Sequence, residues 1–405
     1  MIAYISPLVP KRTGIALYSQ HLINALQTAL ANKNDRMAVF DDDVSETNRY
    51  QSDYQAQEIL PLLFEQTRRE KYRQFIYHFG NNPSFHLPML QLLQVQKGIV
   101  VLHDTVLYYL IAGQGTGGVW QALTRQSTDN AFAAIDEIVN ESEAGDIFRY
   151  SSPAHYPMLH DVLEQATAVV VHSKMAQQQV IKAGFNGAIH QVPLIDYQQA
   201  MSADETQIEN AMVIDLLKQK TSHGTFIIGL FGFAGQTKRS HSIFQALSEL
   251  PDKLKAKLKL LIIGNDLYQS EIEAMGLSDL VVNTGYVSDT DYDQSMAICD
   301  LIINLRYPSM GETSAVQIQA MSAEKATIVS NYGWFSELAD HAVHKISVAE
   351  QEVEELKQAI IKLADDESYR LSIAQQAKYY VTKYHSPAQV AQQWMDIICD
   401  RKGAL

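Results

Sequence analysis

Two cysteines in 405 residues, Cys299 and Cys399, supply neither a metal-ligand spacing nor a disulfide framework, so packing alone must hold the fold. Long hydrophobic runs are missing as well. No stretch reaches the roughly 18–20 apolar residues that span a bilayer, and the opening MIAYISPLVP lacks the basic region and apolar core of a secretory signal. A reducing cytoplasm is the expected location. Positive charge is scarce: the net charge is −14, which speaks against a nucleic-acid partner, since such binders carry a basic face. One local exception is RREKYR, holding Arg68, Arg69, Lys71 and Arg73. Most such clusters are solvated helix faces; the alternative is a patch for anionic headgroups and a peripheral contact with the inner membrane face.

Several chemistries are missing too. The run TFIIGLFGFAGQTKR is neither a G-x-x-x-x-G-K-[ST] phosphate loop nor a G-x-G-x-x-G dinucleotide fingerprint. The chain has no His/Cys/carboxylate cluster with metal-ligand spacing and no nucleophile beside an evident base. Neither a bound metal nor a resident cofactor is expected. There is no tandem repeat and no low-complexity tract.

What is present is an ordinary globular composition, 46% hydrophobic and 19% charged, in a chain longer than one core usually grows. Short apolar runs alternate with helical periodicity from end to end, which predicts an α/β protein with parallel sheets covered on both faces. Strands are expected at 2–6, 37–40, 74–79, 98–103, 168–172 and 188–193. The theme restarts at 225–232, 257–264, 280–286, 301–305, 327–330 and 343–348. This predicts a first domain over 1–195, a polar connector over 196–224, a second domain over 225–385 and a last amphipathic helix over 386–405.

Ligands of open parallel sheets bind beyond the carboxyl ends of the strands, so polar residues just after the strands are the site candidates. In TFIIGLFGFAGQTKR, Gly232 and Gly235 let backbone N–H groups approach an anion, and Lys238 adds a full charge. A plain strand-to-helix turn with a surface lysine reads as well. In NLRYPSMGETSA, Thr313 and Ser314 can cap a helix running to about Ala323. Arg306 can grip an anionic group bidentately. Glu312 can accept hydrogen bonds from sugar hydroxyls, or serve as a simple first-turn helix acid. In the first half, FIYHFGNN and VVLHD deliver His78, Asn81, Asn82, His103 and Asp104 at two strand ends.

At this point the residues carry a resemblance. The second half resembles the nucleotide-sugar-binding domain of family 4, or group 1, glycosyltransferases of bacterial surface-polysaccharide type. FGFAGQTKR resembles the family's G-R-L-x-x-x-K-G loop, with Gly232 and Lys238 at the right separation. NTGYVSDTDYDQSMAICDLIINL matches a later segment through Gly285 and Asp300, and YGWFSELAD matches another through Gly333 and Glu337. The resemblance covers nearly the whole chain and is dense over 4–19, 75–106 and 225–340.

It implies the GT-B fold, two Rossmann-like doubly wound parallel-sheet domains facing across a cleft, with the last helix returning to the first domain. It implies a metal-independent, retaining transfer from a nucleotide-diphosphate sugar, UDP- or GDP-linked, to a glycan or lipid-linked acceptor, in lipopolysaccharide O-antigen or another surface polysaccharide. On the donor it places Gly14, Gly232, Phe233, Lys238, Glu312, Thr313, Ser314, Ala315 and Gln319, with Arg306 as the candidate replacement for a missing cation. His103 would line the reaction centre, and His78, Asn81 and Asp104 would shape the acceptor side. Ser173 matches a family serine, or is a helix cap. Two departures stand out: Gln319 replaces the second glutamate of the signature, and Phe233 stands where an arginine is common. They keep open a catalytically silent GT-B partner protein; a sugar-nucleotide 2-epimerase is the other alternative.

Overall fold

The computed structural model describes residues 1–49, 54–126, 130–196, 208–232, 236–264 and 268–399. The chain divides into two compact units. The first comprises 1–195, 310–313 and the residues from Pro387 onward; the second comprises 196–309 and 314–386.

The first unit is built on a seven-stranded sheet: β1 (Ile2–Ile5), β2 (Met37–Asp41), β3 (Ala56–Glu58), β4 (Gln74–Phe79), β5 (Gly98–Leu102), β6 (Ala166–Val171) and β7 (Ala188–Gln191). Their order is β3-β2-β1-β4-β5-β6-β7, all parallel. β1, β4 and β5 are buried almost from end to end. That is why they read as continuous apolar runs, with no inside–outside alternation. The helix Pro387–Cys399 belongs to this unit and packs on the helix Gly14–Ala31. Its Trp394 is fully buried beside His78, with ring centroids 6.2 Å apart.

The second unit carries six parallel strands: β8 (Phe226–Phe231), β9 (Leu258–Ile263), β10 (Val281–Asn283), β11 (Leu301–Asn304), β12 (Ala326–Ser330) and β13 (His344–Ile346). Their order is β10-β9-β8-β11-β12-β13. The expected connector is, where described, largely a helix of this unit. Ala211–His223 is capped by the Asn210 side chain and closed by left-handed Gly224, and it buries Val213 and Leu216 in the core beneath β8. The strand order reverses between β1 and β4 in one sheet and between β8 and β11 in the other. Those reversals open the crevices where such sheets take ligands.

Candidate functional site

In the second unit the reversal lies between β8 and β11, and the cations gather there. Gly232 leaves β8 at φ +84°, a left-handed conformation that a side chain resists. A Cβ at that position would also lie 2.6 Å from Lys238 Nζ. Phe233 and Gly235 fall outside the described residues. Lys238 ends a short 3₁₀ turn, Gln236–Lys238, and folds back so that Nζ donates to the Phe231 carbonyl at 2.8 Å. Burial first, and then the nearby Arg306 guanidinium, lower its pKa to about 7. Beside it is a cavity of about 20 Å³ lined by Gly232, Lys238, Ser240 and Asn304 among others, room for about one water. Arg306 follows β11; its backbone N–H donates to Ser330 Oγ at 2.9 Å, and its guanidinium reaches Thr237 Oγ1 at 3.4 Å. Lys238 and Arg306 thus press two cations toward one strand-end crevice.

The helix Ala315–Ser322 begins at the same edge. Ser314 is its cap: Oγ accepts from Gln317 N–H at 3.2 Å and from Asn304 Nδ2 at 3.0 Å. Thr313 is half-buried and makes no cap, so the capping expected of the pair belongs to Ser314 alone. Ala315 is the first helical residue. Gln319 is largely buried, and its Oε1 accepts from the Tyr292 hydroxyl at 3.3 Å.

Glu312 and Thr313 group with the first unit, not with Arg306 and Ser314. The Met310 carbonyl accepts from Thr105 and Val106 N–H at 2.9 and 3.0 Å, and Glu312 Oε2 accepts from Met310 N–H at 2.6 Å. Gly311, at φ +83°, is required here, because any Cβ would overlap Thr105 Oγ1 and crowd Gln179. Nothing in the spacing of SMGET singled out this glycine.

In the first unit the loop after β1 is fastened by Asp41. This carboxylate is fully buried, accepts from Leu8 N–H at 3.0 Å and pairs with Lys11 at 2.7 Å. Burial, then its hydrogen bond with Asp42, raises its pKa to about 7, and Lys11 works against both. Gly14 opens the following helix behind the Thr13 cap; a side chain there would meet nothing within 4 Å. The fold itself therefore has no steric need for this glycine.

Next to β1, β4 and β5 end in His78 and His103. His103 is partly exposed, and its Nε2 lies 3.0 Å from His78 Nδ1. His172, 4.8 Å from His103 between ring centroids, donates from Nδ1 to the Val192 carbonyl at 2.8 Å. Burial first, then His172, His78 and His86, hold His103 well below its ordinary pKa, so the ring is neutral at pH 7.

Two acceptor-side expectations need correction. His78 has no exposed surface, so it lines no pocket and stands behind His103. Asn81 is spent on structure: its Oδ1 accepts from Tyr109 and Leu110 N–H at 2.8 and 3.2 Å, ahead of the helix Tyr108–Ala112. Asp104 holds that turn in place, accepting from Asn81 N–H at 2.8 Å. Ser173 is buried and caps the helix Lys174–Lys182. The basic cluster is also largely engaged. Arg68 pairs with Glu65, Arg69 donates to the Leu62 and Leu63 carbonyls, and Arg73 binds Asp35 and the Ile398 carbonyl.

Among the described residues, no three His, Cys, Asp or Glu side chains are placed to hold a metal ion, and no helix is long and apolar enough to cross a membrane.

Comparison with known proteins agrees with this geometry. Residues 215–380 match the family model "Glycosyl transferases group 1". An uncharacterized glycosyltransferase of Methanocaldococcus jannaschii is 25% identical over 226 residues, which is 54% of this chain and 55% of that relative. The chain thus matches about half the length of that curated relative. Among solved structures, HepE of Anabaena in complex with UDP-glucose superposes with a TM-score of 0.66 at 16% identity, covering 98% of both chains. WaaG, described as a glycosyltransferase involved in lipopolysaccharide biosynthesis, gives 0.59 at 14%, covering 99% of this chain and 100% of the other. The two doubly wound parallel sheets are those of the GT-B fold, and residues 215–380 are similar to the group 1 glycosyltransferases.

Proposed function

We propose that this protein is a metal-independent, retaining glycosyltransferase. It moves a sugar from a nucleotide-diphosphate sugar to a glycan or lipid-linked glycan acceptor in surface-polysaccharide assembly. The observation that carries the reading is the pair Lys238 and Arg306, held at the carboxyl ends of β8 and β11 where the sheet order reverses. Two cations set at one strand-end crevice suit a diphosphate. Structures of HepE with UDP and with UDP-glucose support a UDP-linked donor.

In the reaction the bond from the anomeric carbon to the diphosphate breaks, and a bond from that carbon to the acceptor oxygen forms on the same face. The departing phosphate takes the acceptor's proton. Lys238, Arg306 and the N-terminus of the helix Ala315–Ser322 stabilise the charge that grows on the leaving group. One such donor is worth about 3–4 kcal/mol in comparable sites. Neutral His103 hydrogen-bonds the transferred sugar, and Glu312 receives a sugar hydroxyl.

The test is a thermal-shift screen with UDP, GDP, dTDP, ADP and CMP on the wild type and Lys238→Ala. A nucleotide at 100 times its Kd adds about 2.7 kcal/mol of stability. One nucleotide should shift the wild type and leave Lys238→Ala unmoved. No shift with any of them would defeat this reading and favour a non-enzymatic partner protein.

A further inference from the structure

Two facing imidazoles, one buried and one partly exposed, leave a question of where the proton sits. His78 Nδ1 and His103 Nε2 are 3.0 Å apart, their rings stacked at 5.3 Å and 30°. Between two neutral rings one nitrogen must donate and the other accept. Neutrality follows from the setting: burial and the surrounding imidazoles disfavour the cation on both.

The far side of His78 decides the direction. Its Nε2 is fully buried and has no hydrogen-bond partner among the described residues. Tyr4, Tyr18 and Trp394 wall the ring at 4.5, 5.8 and 6.2 Å between centroids, so it cannot swing toward one. If His103 were the donor, His78 would carry its proton on Nε2, burying an N–H with nothing to receive it. If His78 donates from Nδ1, only a lone pair is left unanswered. Orphaned buried donors are the rarer defect.

We propose that His78 is a positioning residue that locks His103 as its Nδ1–H tautomer. His103 then meets its ligand as a fixed hydrogen-bond donor. The group it recognises is an oxygen acceptor, a hydroxyl or ring oxygen of the transferred sugar, and His103 acts neither as general base nor as a cation. The ligand named here rests on the glycosyltransferase reading above; the tautomer itself does not.

The experiment is a two-bond ¹H–¹⁵N correlation spectrum of the full chain labelled with ¹⁵N-histidine, with the His103 signal assigned by its loss in His103→Gln. The expected pattern is a protonated Nδ1 and a bare Nε2. His78→Asn, whose amide nitrogen replaces Nδ1, should keep it. His78→Phe should lose it, with most of the signal moving to the Nε2–H form. Where His78→Phe does not fold, His78→Gln, whose amide reaches the Nε2 position, serves the same purpose. A wild-type His103 protonated at Nε2, or a pattern unchanged in both variants that remove the Nδ1 donor, overturns the proposal. A spectrum as expected together with a silent nucleotide screen would remove the glycosyltransferase reading and leave the tautomer lock standing.

Discussion

At Lys238 the proposed function and the stability of the fold pull in opposite directions. Its ammonium is buried against another cation, and its pKa falls to about 7 from an ordinary 10.5. A depressed lysine costs stability fully at low pH, and that cost fades as pH rises from 7 toward 10.5, where the unfolded chain also loses the proton. Lys238→Met should therefore raise the melting temperature of the ligand-free protein below pH 7, and the gain should shrink by pH 9. The same variant should lose every nucleotide-induced shift. On the proposed reading, an arriving diphosphate should restore the ammonium in the wild type. Calorimetry above pH 7, in buffers of different ionisation enthalpy, should show uptake of up to one proton per nucleotide, with affinity falling as pH rises. No uptake would mean that Lys238 is already charged in the empty site.

At the scale of elements, the strands were the most legible part of the molecule. Each run of β-branched and leucine residues became a parallel strand; the central ones are buried because both faces of such sheets are covered, while β7 and β10 at the edges are only partly so. β3 was missed because Ala56–Glu58 is three residues long, on the edge, with Gln57 and Glu58 exposed. The stretch after β5 was also opaque. There short helices and 3₁₀ turns are held by tyrosine hydroxyls, as where Tyr150 and Tyr156 both donate to Glu137, and no period announces them. Among candidate site residues, the placement of Lys238 and Arg306 was legible because position after a strand end is a sequence property. His78 was not, because alternation along a strand says which residues share a face and not what lies behind it. Gly311 was invisible for a similar reason: its need comes from Thr105, 206 positions away in the chain by count (about 200). Gly311→Ala forces a positive φ on a residue with a Cβ and an overlap besides, a cost of about 2 kcal/mol or more. Chemical denaturation should show it. A loss under about 0.5 kcal/mol, within the range of ordinary surface changes, would mean that the 310–313 segment is loosely held.

For the whole molecule, the acid side of the stability curve should belong to the first unit. His78, His86 and His103 lie there, and burial lowers all three, His86 to about 3. A histidine lowered in the folded state gives stability that is complete above about pH 6.5 and is lost as pH falls toward its folded value. Each contributes about 1.4 kcal/mol per pH unit over that window. Asp41, raised to about 7, opposes with one group's weight between pH 7 and its unfolded value. Three against one leaves a net loss on acidification. Tryptophan fluorescence can assign it, since Trp120 and Trp394 belong to the first unit and Trp334 to the second. Acid unfolding should appear first in a variant that keeps only Trp394, and later in one that keeps only Trp334. The reverse order would place the acid-sensitive groups in the second unit.

The return of the helix Pro387–Cys399 to the first unit carries a consequence for the order of events during synthesis. When Ile195 leaves the ribosome, the first sheet is complete, but Trp394 lies about 200 residues downstream. At 5–20 residues per second that is a wait of roughly 10–40 s. Throughout it, the face of the helix Gly14–Ala31 that Trp394 will cover is bare, and with it Tyr18 and His78. The nascent first half must therefore pass through a long interval with an open apolar seam, a natural substrate for a chaperone. A ribosome-bound chain stalled near residue 195 should bind a hydrophobic dye that the finished protein excludes.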